Sequence, residues 1–292
     1  IEETRKYLEE TALHVDFSKS PLIFDIGITV FHGEEQAYVR IVDYHTNVVT
    51  IRHNDQTILS AEITGRTETS MADKSTLTIR DICEFAEIVK IEDVQAVLDR
   101  QISYNMAIST EGIQNSYGAN IGRVLLHTYG ENDVKIRAKA MAAAGSDARM
   151  NGCELPVVIN SGSGNQGITV SVPVITYAKE LNVSEEDLYR ALVVSNLSTL
   201  HIKEGIGRLS AYCGAVGAGC GAGAGIAWLH GGRYKEIAHT LVNSLAILSG
   251  TICDGAKASC AAKIAAAVDA GILGYFMYKD GQQFIDGRSE ER

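Results

Sequence analysis

A run of small residues in the C-terminal third constrains this chain more than any other feature. Leu209–Leu229 contains 21 residues without a formal charge, and six glycines lie between Ala211 and Leu229. The run is long enough to span a bilayer. However, glycine and alanine contribute too little transfer free energy for confident insertion. We therefore expect a tightly packed buried helix or helix pair here, and no membrane span.

Alternation of apolar and polar residues predicts an antiparallel meander near the N-terminus. Turn residues at 32–33 and 53–55 separate the strands, and the polar segment 64–76 is predicted as a loop. A helix is predicted over residues 1–15. The four predicted strands are 22–30, 36–42, 47–52 and 57–63.

Helical periodicity dominates the rest of the chain. The short apolar run 155–159 fits either a strand or a buried helix segment, and no longer strand pattern occurs after about residue 110. The predicted fold is therefore α+β: a small N-terminal antiparallel sheet with helices in residues 1–110, then a larger Ala/Gly-rich all-helical domain in residues 111–292. The predicted helices are 77–90, 91–105, 134–144, 168–181, 184–200, 234–249 and 256–277.

Charge and cysteine content narrow the function classes. The formal net charge of −10 argues against nucleic acid as a partner, because phosphate binding needs clustered Lys and Arg. Residues 1–13 are charged and lack the apolar segment of a secretory signal, so we expect a cytoplasmic protein. In that compartment the six cysteines are expected as free thiols or metal ligands, and not as disulfides. The Ala/Gly-rich helices could pack within one chain or across the interface of a homo-oligomer, so both oligomeric states stay open.

The segment Asn160–Gly167 contains a literal GxGxxG. The dinucleotide-binding fingerprint requires a strand after the helix that the glycine-rich segment opens. Here a second helix is predicted in that place, so no dinucleotide-binding unit is predicted. Bare glycine backbone and a helix N-terminus still form an anion site, which suits the carboxylate of a small amino-acid substrate. The alternative is a glycine-rich connection capped by Ser or Asn. The neutral groups predicted to bind substrate are Asn160, Ser161, Ser163, Asn165 and Gln166.

Four cysteines occur as two pairs with equal spacing, Cys213 with Cys220 and Cys253 with Cys260. In a helix this spacing places both thiols of a pair on one face. Three interpretations remain open from the spacing: structural zinc, an iron–sulfur cluster, or small apolar residues in the core.

The segment 201–208 supplies candidates for a general base. Histidine is the commonest general base, so His201 is one candidate. Lys203 is the other, because a desolvated lysine can also act as a base. An exposed helix end with solvated charges is the alternative. Asp147 and Arg149 form another polar cluster, but residues two apart do not face each other on a helix, so a loop or cap is predicted there.

The sequence of Gly145–Gly167 (GSDARMNGCELPVVINSGSGNQG) closely resembles the core motif of the L-cysteine desulfidase family. That family is related to the α chain of the iron–sulfur L-serine dehydratases. Three later segments resemble further motifs of the same family: IGRLSA at 206–211, GCGAGAGI at 219–226 and ICDGAK at 252–257. The resemblance extends over residues 20–275.

This resemblance implies a [4Fe–4S] cluster held by Cys220, Cys253 and Cys260, with one iron open and Cys213 as a neighbour. It implies no pyridoxal phosphate, because the open iron activates the leaving group. The expected reaction converts L-cysteine through aminoacrylate to pyruvate, ammonia and sulfide, with Lys203 or His201 as the base.

Two alternatives accompany this expectation. The same machinery could dehydrate L-serine, since the motifs do not separate a thiol from a hydroxyl leaving group. Family members also carry a further N-terminal segment with a Gly-Cys-Thr-Glu-Pro motif, which this sequence does not contain. A non-catalytic amino-acid-binding relic is therefore the second alternative.

Overall fold

The computed structural model describes residues 2–22, 24–43, 46–62, 76–207 and 210–284. The predicted loop 64–76 lies almost wholly outside these ranges, and so do Arg208 and Leu209 of the predicted motif 206–211. The chain divides into two compact units, Ile1–Ala72 and Asp73–Arg292. This boundary differs from the expected one near residue 110, because the helices over residues 79–114 pack within the second unit.

The first unit contains helix α1 (Glu2–Glu10) and a four-stranded antiparallel sheet in the order β1-β2-β3-β4. The predicted meander is confirmed, although β1 begins and ends later than expected. Register shifts interrupt β2–β3 pairing at Arg40/Ile41 and β3–β4 pairing at Ile51/Arg52. The strands are β1 (Asp25–His32), β2 (Glu35–Val42), β3 (Val48–His53) and β4 (Gln56–Ser60).

The regular elements of the second unit, in the part that the structure describes, are helices, which confirms the α+β class. Its helices are α2 (Ile79–Ile88), α3 (Ile91–Gln114), α4 (Ile121–Tyr129), α5 (Val134–Met150), α6 (Gly164–Leu181), α7 (Glu185–Ile206), α8 (Gly214–Leu229), α9 (Tyr234–Leu248) and α10 (Cys260–Lys279).

Local capping explains several of these starts. Ser184 begins α7, as predicted, because its Oγ accepts a hydrogen bond from the backbone N–H of Asp187 at 3.1 Å. Asp147 and Arg149 lie inside α5, so the predicted loop there is wrong. Small residues from Ala140 to Ala148 let that helix continue buried against its neighbours, with both polar residues on different faces.

Helix α8 is the Gly/Ala-rich run, and it occupies the centre of the unit against α6, α7, α9 and α10. Its backbone touches that of α10: a Cβ on Gly219 would lie 2.5 Å from the carbonyl carbon of Ala267, and one on Gly223 would lie 2.5 Å from the carbonyl oxygen of Gly271. The tightly packed buried helix expected from the sequence is thereby confirmed. Among the described residues α10 alone is long and apolar enough to cross a membrane by length and composition, and it is a core helix here.

Candidate active site

The glycine-rich loop is a tight turn that leads into α6. Backbone hydrogen bonds join Asn160 and Ser163 in both directions, at 3.2 and 3.0 Å. Ser161 and Gly162 between them have φ of 51° and 81°. Two successive positive φ values are the pattern of a type I′ turn. A non-glycine residue such as Ser161 is strained there, which is common at functional sites.

Two buried amides on α3 hold this loop in place. The Asn105 side chain donates to the carbonyl oxygens of Val158 (3.2 Å) and Gly167 (3.0 Å) and accepts from the Val158 N–H at 2.9 Å. Gln101, one turn earlier, exchanges two hydrogen bonds with Asn196 of α7. Sequence reasoning missed these residues. The sequence feature that could have identified them is a pair of amide side chains four residues apart, on the buried face of one helix.

The predicted substrate-binding residues divide into two groups. Asn160 donates to Asn196 Oδ1 at 2.9 Å and accepts from Ser161 Oγ at 2.7 Å, so its amide is engaged within the protein. Ser163 caps α6, with its Oγ accepting from the Gln166 N–H at 3.5 Å. Asn160, Ser161 and Ser163 therefore shape the loop. The first helical turn of α6 remains available to a ligand.

Asn165 and Gln166 occupy that first turn. Asn165 Oδ1 accepts from Arg149 Nη1 at 3.3 Å. Gln166 is 7% exposed, and its Oε1 has no hydrogen-bond partner among the described residues. Its side chain lies against the start of α8, since a Cβ on Gly214 would be 2.6 Å from Gln166 Nε2. The N-termini of α6 and α8 therefore meet at Gln166.

The N-terminus of α10 joins the other two. Gly219 contacts Ala267 and Gly223 contacts Gly271, so α8 and α10 run parallel with a constant offset. The same offset places Cys213, the residue before α8, level with Ala261, the second residue of α10. Three helix N-termini thus point toward one region. Each presents free N–H groups and a partial positive charge.

Three cysteines lie in this region. Residues 211–213 pair with 251–253 as a short antiparallel bridge, through Cys213 N to Thr251 O (3.2 Å) and Cys253 N to Ala211 O (2.7 Å). Side chains alternate along paired strands, so Cys213 and Cys253 share a face. Tyr212 and Ile252 occupy the other face, and both are exposed. Cys260 opens α10 and accepts from the Lys257 N–H at 3.5 Å.

Cys220 does not join this group. It lies seven residues into the α8 region from Cys213, about 10 Å along the axis at 1.5 Å per residue. Its side chain is 0% exposed. Burial raises the pKa of its thiol to about 12, which disfavours the thiolate that metals bind. The structure therefore groups Cys213, and not Cys220, with Cys253 and Cys260, while the ligand set that the resemblance implies stays a prediction.

Cationic side chains surround the three thiols. Burial lowers the pKa of Lys203, while the sulfurs of Cys253 and Cys213 oppose that shift. Lys263 donates to the carbonyl oxygen of Ile252 at 3.1 Å. It also donates to Asp254 Oδ1 at 2.7 Å, and the hydrogen bonds of Lys257 and Lys263 hold the pKa of Asp254 well below its usual range.

His201 projects from a different side of α7 than Lys203. A helix turns 100° per residue, so His201 and Lys203 project about 160° apart on α7. Ile202 between them contacts α8, because a Cβ on Gly217 would lie 3.0 Å from its methyl group. Of the two predicted bases, the structure brings Lys203 to the cysteines.

Three cysteines beside one another match the thiolate donors of an iron–sulfur cluster. The described residues contain no group of three His, Cys, Asp or Glu side chains close enough to hold one metal ion. A cluster accepts thiolates farther apart. Converging helix N-termini and two lysines favour the negative charge that three thiolates bring.

Comparison with known proteins identifies the family. A model of the serine dehydratase alpha chain family matches residues 31–290. The chain belongs to the serine dehydratase alpha chain family. The match includes the glycine-rich loop, Lys203 and all three converging cysteines, and it confirms the relationship expected from the motifs.

Relatives in this family share the chain over almost its whole length. A UPF0597 protein of Desulfitobacterium hafniense (strain Y51) is 63% identical over 98% of the chain. UPF0597 proteins of Lachnoclostridium phytofermentans and Treponema denticola are 50% and 42% identical over 98% and 97% of it. The chain spans 66%, 68% and 67% of these three relatives.

Proposed function

We propose that this chain carries the catalytic site of a [4Fe–4S]-dependent lyase that converts L-cysteine to pyruvate, ammonia and sulfide. One observation supports the proposal above others: Cys213, Cys253 and Cys260 lie beside the N-terminus of α6, where the glycine-rich loop ends. Thiolates for a cluster and N–H groups for a carboxylate are then available to one small molecule.

Cys213, Cys253 and Cys260 would hold the cluster, which would supply a Lewis-acidic iron toward the leaving group. The protein's own residues supply the rest. The free N–H groups of the first turn of α6 bind the substrate carboxylate. Asn105 and Asn160 keep that turn rigid, since their amides are bonded on both sides of it.

Lys203 acts as the base. Its unprotonated amine takes the proton from Cα, the C–H electron pair forms the Cα=Cβ bond, and the Cβ–S bond breaks to release sulfide. The 2-aminoacrylate product tautomerises to an imine, and water hydrolyses it to pyruvate and ammonia. Burial of Lys203 supports this role, because desolvation favours the neutral amine.

Dehydration of L-serine is the second candidate. The family description favours it, since the matching family is that of the serine dehydratase alpha chain. The two reactions differ only in the leaving group, so the same residues serve both.

Parallel assays test the proposal. Protein purified and reconstituted without oxygen is given L-cysteine or L-serine, and pyruvate formation is followed. We expect pyruvate from both, with a higher kcat/KM for L-cysteine, and loss of activity in Cys253→Ala. Cys83→Ala, a buried cysteine in α2, is the matched control and should stay active.

Three outcomes would contradict parts of the proposal. A higher kcat/KM for L-serine overturns the desulfidase assignment and leaves the lyase. No pyruvate from iron-loaded protein overturns the lyase. Full activity of Cys253→Ala overturns the cluster site.

A further inference from the structure

Among the described residues Arg149 has no carboxylate partner, although it is half-buried. It is the penultimate residue of α5, and burial lowers the pKa of its guanidinium. Its one hydrogen bond to a described residue goes to the neutral Asn165 Oδ1 at 3.3 Å. A guanidinium carries five N–H donors, so most of its hydrogen-bonding capacity is uncommitted.

Several other arginines in the described ranges form ion pairs. Arg40 binds Asp25 at 2.6 Å, Arg190 binds Glu186 at 2.7 Å and Arg233 binds Glu87 at 3.0 Å. Each of these has a carboxylate within ion-pair distance. Within the described ranges, Arg149 does not.

The surroundings of Arg149 add positive potential. The guanidinium lies against the first residue of α6, where a Cβ on Gly164 would be 2.2 Å from Nε. A cation beside a helix N-terminus is repelled by the helix dipole. The arrangement therefore costs stability unless an anion sits between the two.

A second observation points to the same place. Gln166 is 93% buried, on the first turn of α6, and its Oε1 has no hydrogen-bond partner among the described residues. A buried polar atom without a partner is rare in a native protein. The Cys260 sulfur lies close enough to Arg149 to interact with it electrostatically. This anion site therefore adjoins the cysteines.

We propose that Arg149 binds the α-carboxylate of the substrate, together with the N-terminal N–H groups of α6, and that Gln166 Oε1 accepts from the substrate ammonium. A planar guanidinium matches a carboxylate with two parallel hydrogen bonds. The substrate is then oriented with its carboxylate at Arg149 and its β-substituent toward Cys213, Cys253 and Cys260. This inference rests on the proposed function for the identity of the ligand.

Equilibrium binding tests it without turnover. L-alanine carries the carboxylate and ammonium but no leaving group, and ethylamine lacks the carboxylate. Binding of each is measured by calorimetry on wild type, Arg149→Gln, Arg149→Lys and Arg123→Gln. Arg123 is exposed on α4 and serves as the matched control.

We expect Arg149→Gln to bind L-alanine at least about 30-fold more weakly, as loss of a charge-assisted bidentate pair implies. Ethylamine binding should change by less than about 3-fold on that scale. The affinity of Arg149→Lys for L-alanine should lie between those of wild type and Arg149→Gln, and the affinity of Arg123→Gln should match wild type. Iron content and the visible spectrum should be the same in all four proteins.

Several results would overturn the inference: unchanged L-alanine affinity in Arg149→Gln, an equal loss for both ligands, or no L-alanine binding by wild type. Loss of iron in both Arg149 variants would mean that Arg149 supports the cluster instead, and would also overturn it. If Arg149→Gln does not fold, the Arg149→Lys result decides.

Failure of the inference and failure of the proposed function are distinguishable. Arg149-dependent L-alanine binding without pyruvate formation removes the lyase and keeps the carboxylate site. Lyase activity with a KM that does not depend on Arg149 removes the carboxylate site and keeps the lyase.

Discussion

Gly223 and Gly271 bring the backbones of α8 and α10 into direct contact. A Cβ on Gly223 would lie 2.5 Å from the carbonyl oxygen of Gly271, which is closer than real Cβ atoms approach. This contact sets the parallel register of the two helices, and the register in turn places the cysteines at their N-terminal ends on one level. The small-residue run thus positions the candidate site as well as filling the core.

Gly223→Ala should destabilise the protein. The new methyl group meets backbone on α10 and cannot be accommodated by a rotamer change, so we expect a loss of about 1–3 kcal/mol or more in the free energy of unfolding. Gly205→Ala on α7 is the control, because no atom of the described residues lies within 4 Å of its Cβ position. It should gain about 0.5–1 kcal/mol from helix propensity. Urea unfolding of both variants checks the pair, and equal effects would contradict the close contact.

Cys213→Ala should lose the iron–sulfur cluster, and Cys220→Ala should keep it. The first removes a thiol from the converging N-termini, while the second removes a thiol that is fully buried about 10 Å deeper along α8. Iron content and visible absorption of protein purified without oxygen measure the difference. Retention of iron by Cys213→Ala with loss from Cys220→Ala would restore the ligand set that the sequence resemblance implies.

Lys203→Met should reduce kcat by about 10²–10⁴-fold, the usual contribution of a general base. His201→Gln should retain most of the wild-type kcat, because that side chain projects to the other side of α7. Both variants should contain wild-type iron, which separates the loss of a base from the loss of the cluster. A larger loss of kcat in His201→Gln than in Lys203→Met would reverse the assignment.

Asp147 should make stability depend on pH. Its carboxyl is 1% exposed, and burial raises its pKa to about 6 from an ordinary 3.8. The folded state therefore binds a proton more tightly than the unfolded state does, and stability falls as the pH rises from about 4 through about 6. The change is about 3 kcal/mol at most, from two pKa units at about 1.4 kcal/mol each.

Asp147→Asn removes this titration. The free energy of unfolding of the variant relative to wild type should therefore rise between pH 4 and pH 7 and then stay level. Thermal or urea unfolding at each pH measures it, with Asp93→Asn at an exposed position of α3 as the baseline. A difference that does not change with pH would show that the pKa of Asp147 is the same in the folded and unfolded states.

Asp147 also shows why one helix escaped prediction. Helix α4 begins after Asn120, whose side chain makes no capping bond. Its cap comes from another helix, because Asp147 Oδ2, 25 residues beyond Gly122, accepts from the Gly122 N–H at 3.2 Å. Sequence patterns detect a local cap such as Ser184, but not one that another helix supplies.

Spacing alone does not choose between Cys213 and Cys220, for a similar reason. Both belong to the same small-residue run, and both pairs of cysteines have the same spacing, so the spacing contains no information on which thiol faces the site. Only the contacts of Gly219 with Ala267 and Gly223 with Gly271 establish which end of α8 lies level with Cys260.

The sequence by itself determined the α+β class, the four-stranded meander, the buried Gly/Ala helix and the glycine-rich helix start, because these follow from periodicity, residue size and local capping. The tertiary structure alone decided which thiols converge, which base candidate reaches them, and that Arg149 lies beside the α6 N-terminus without a carboxylate partner among the described residues. Those properties depend on the register and rotation of packed helices, which side chains far apart in the chain determine together.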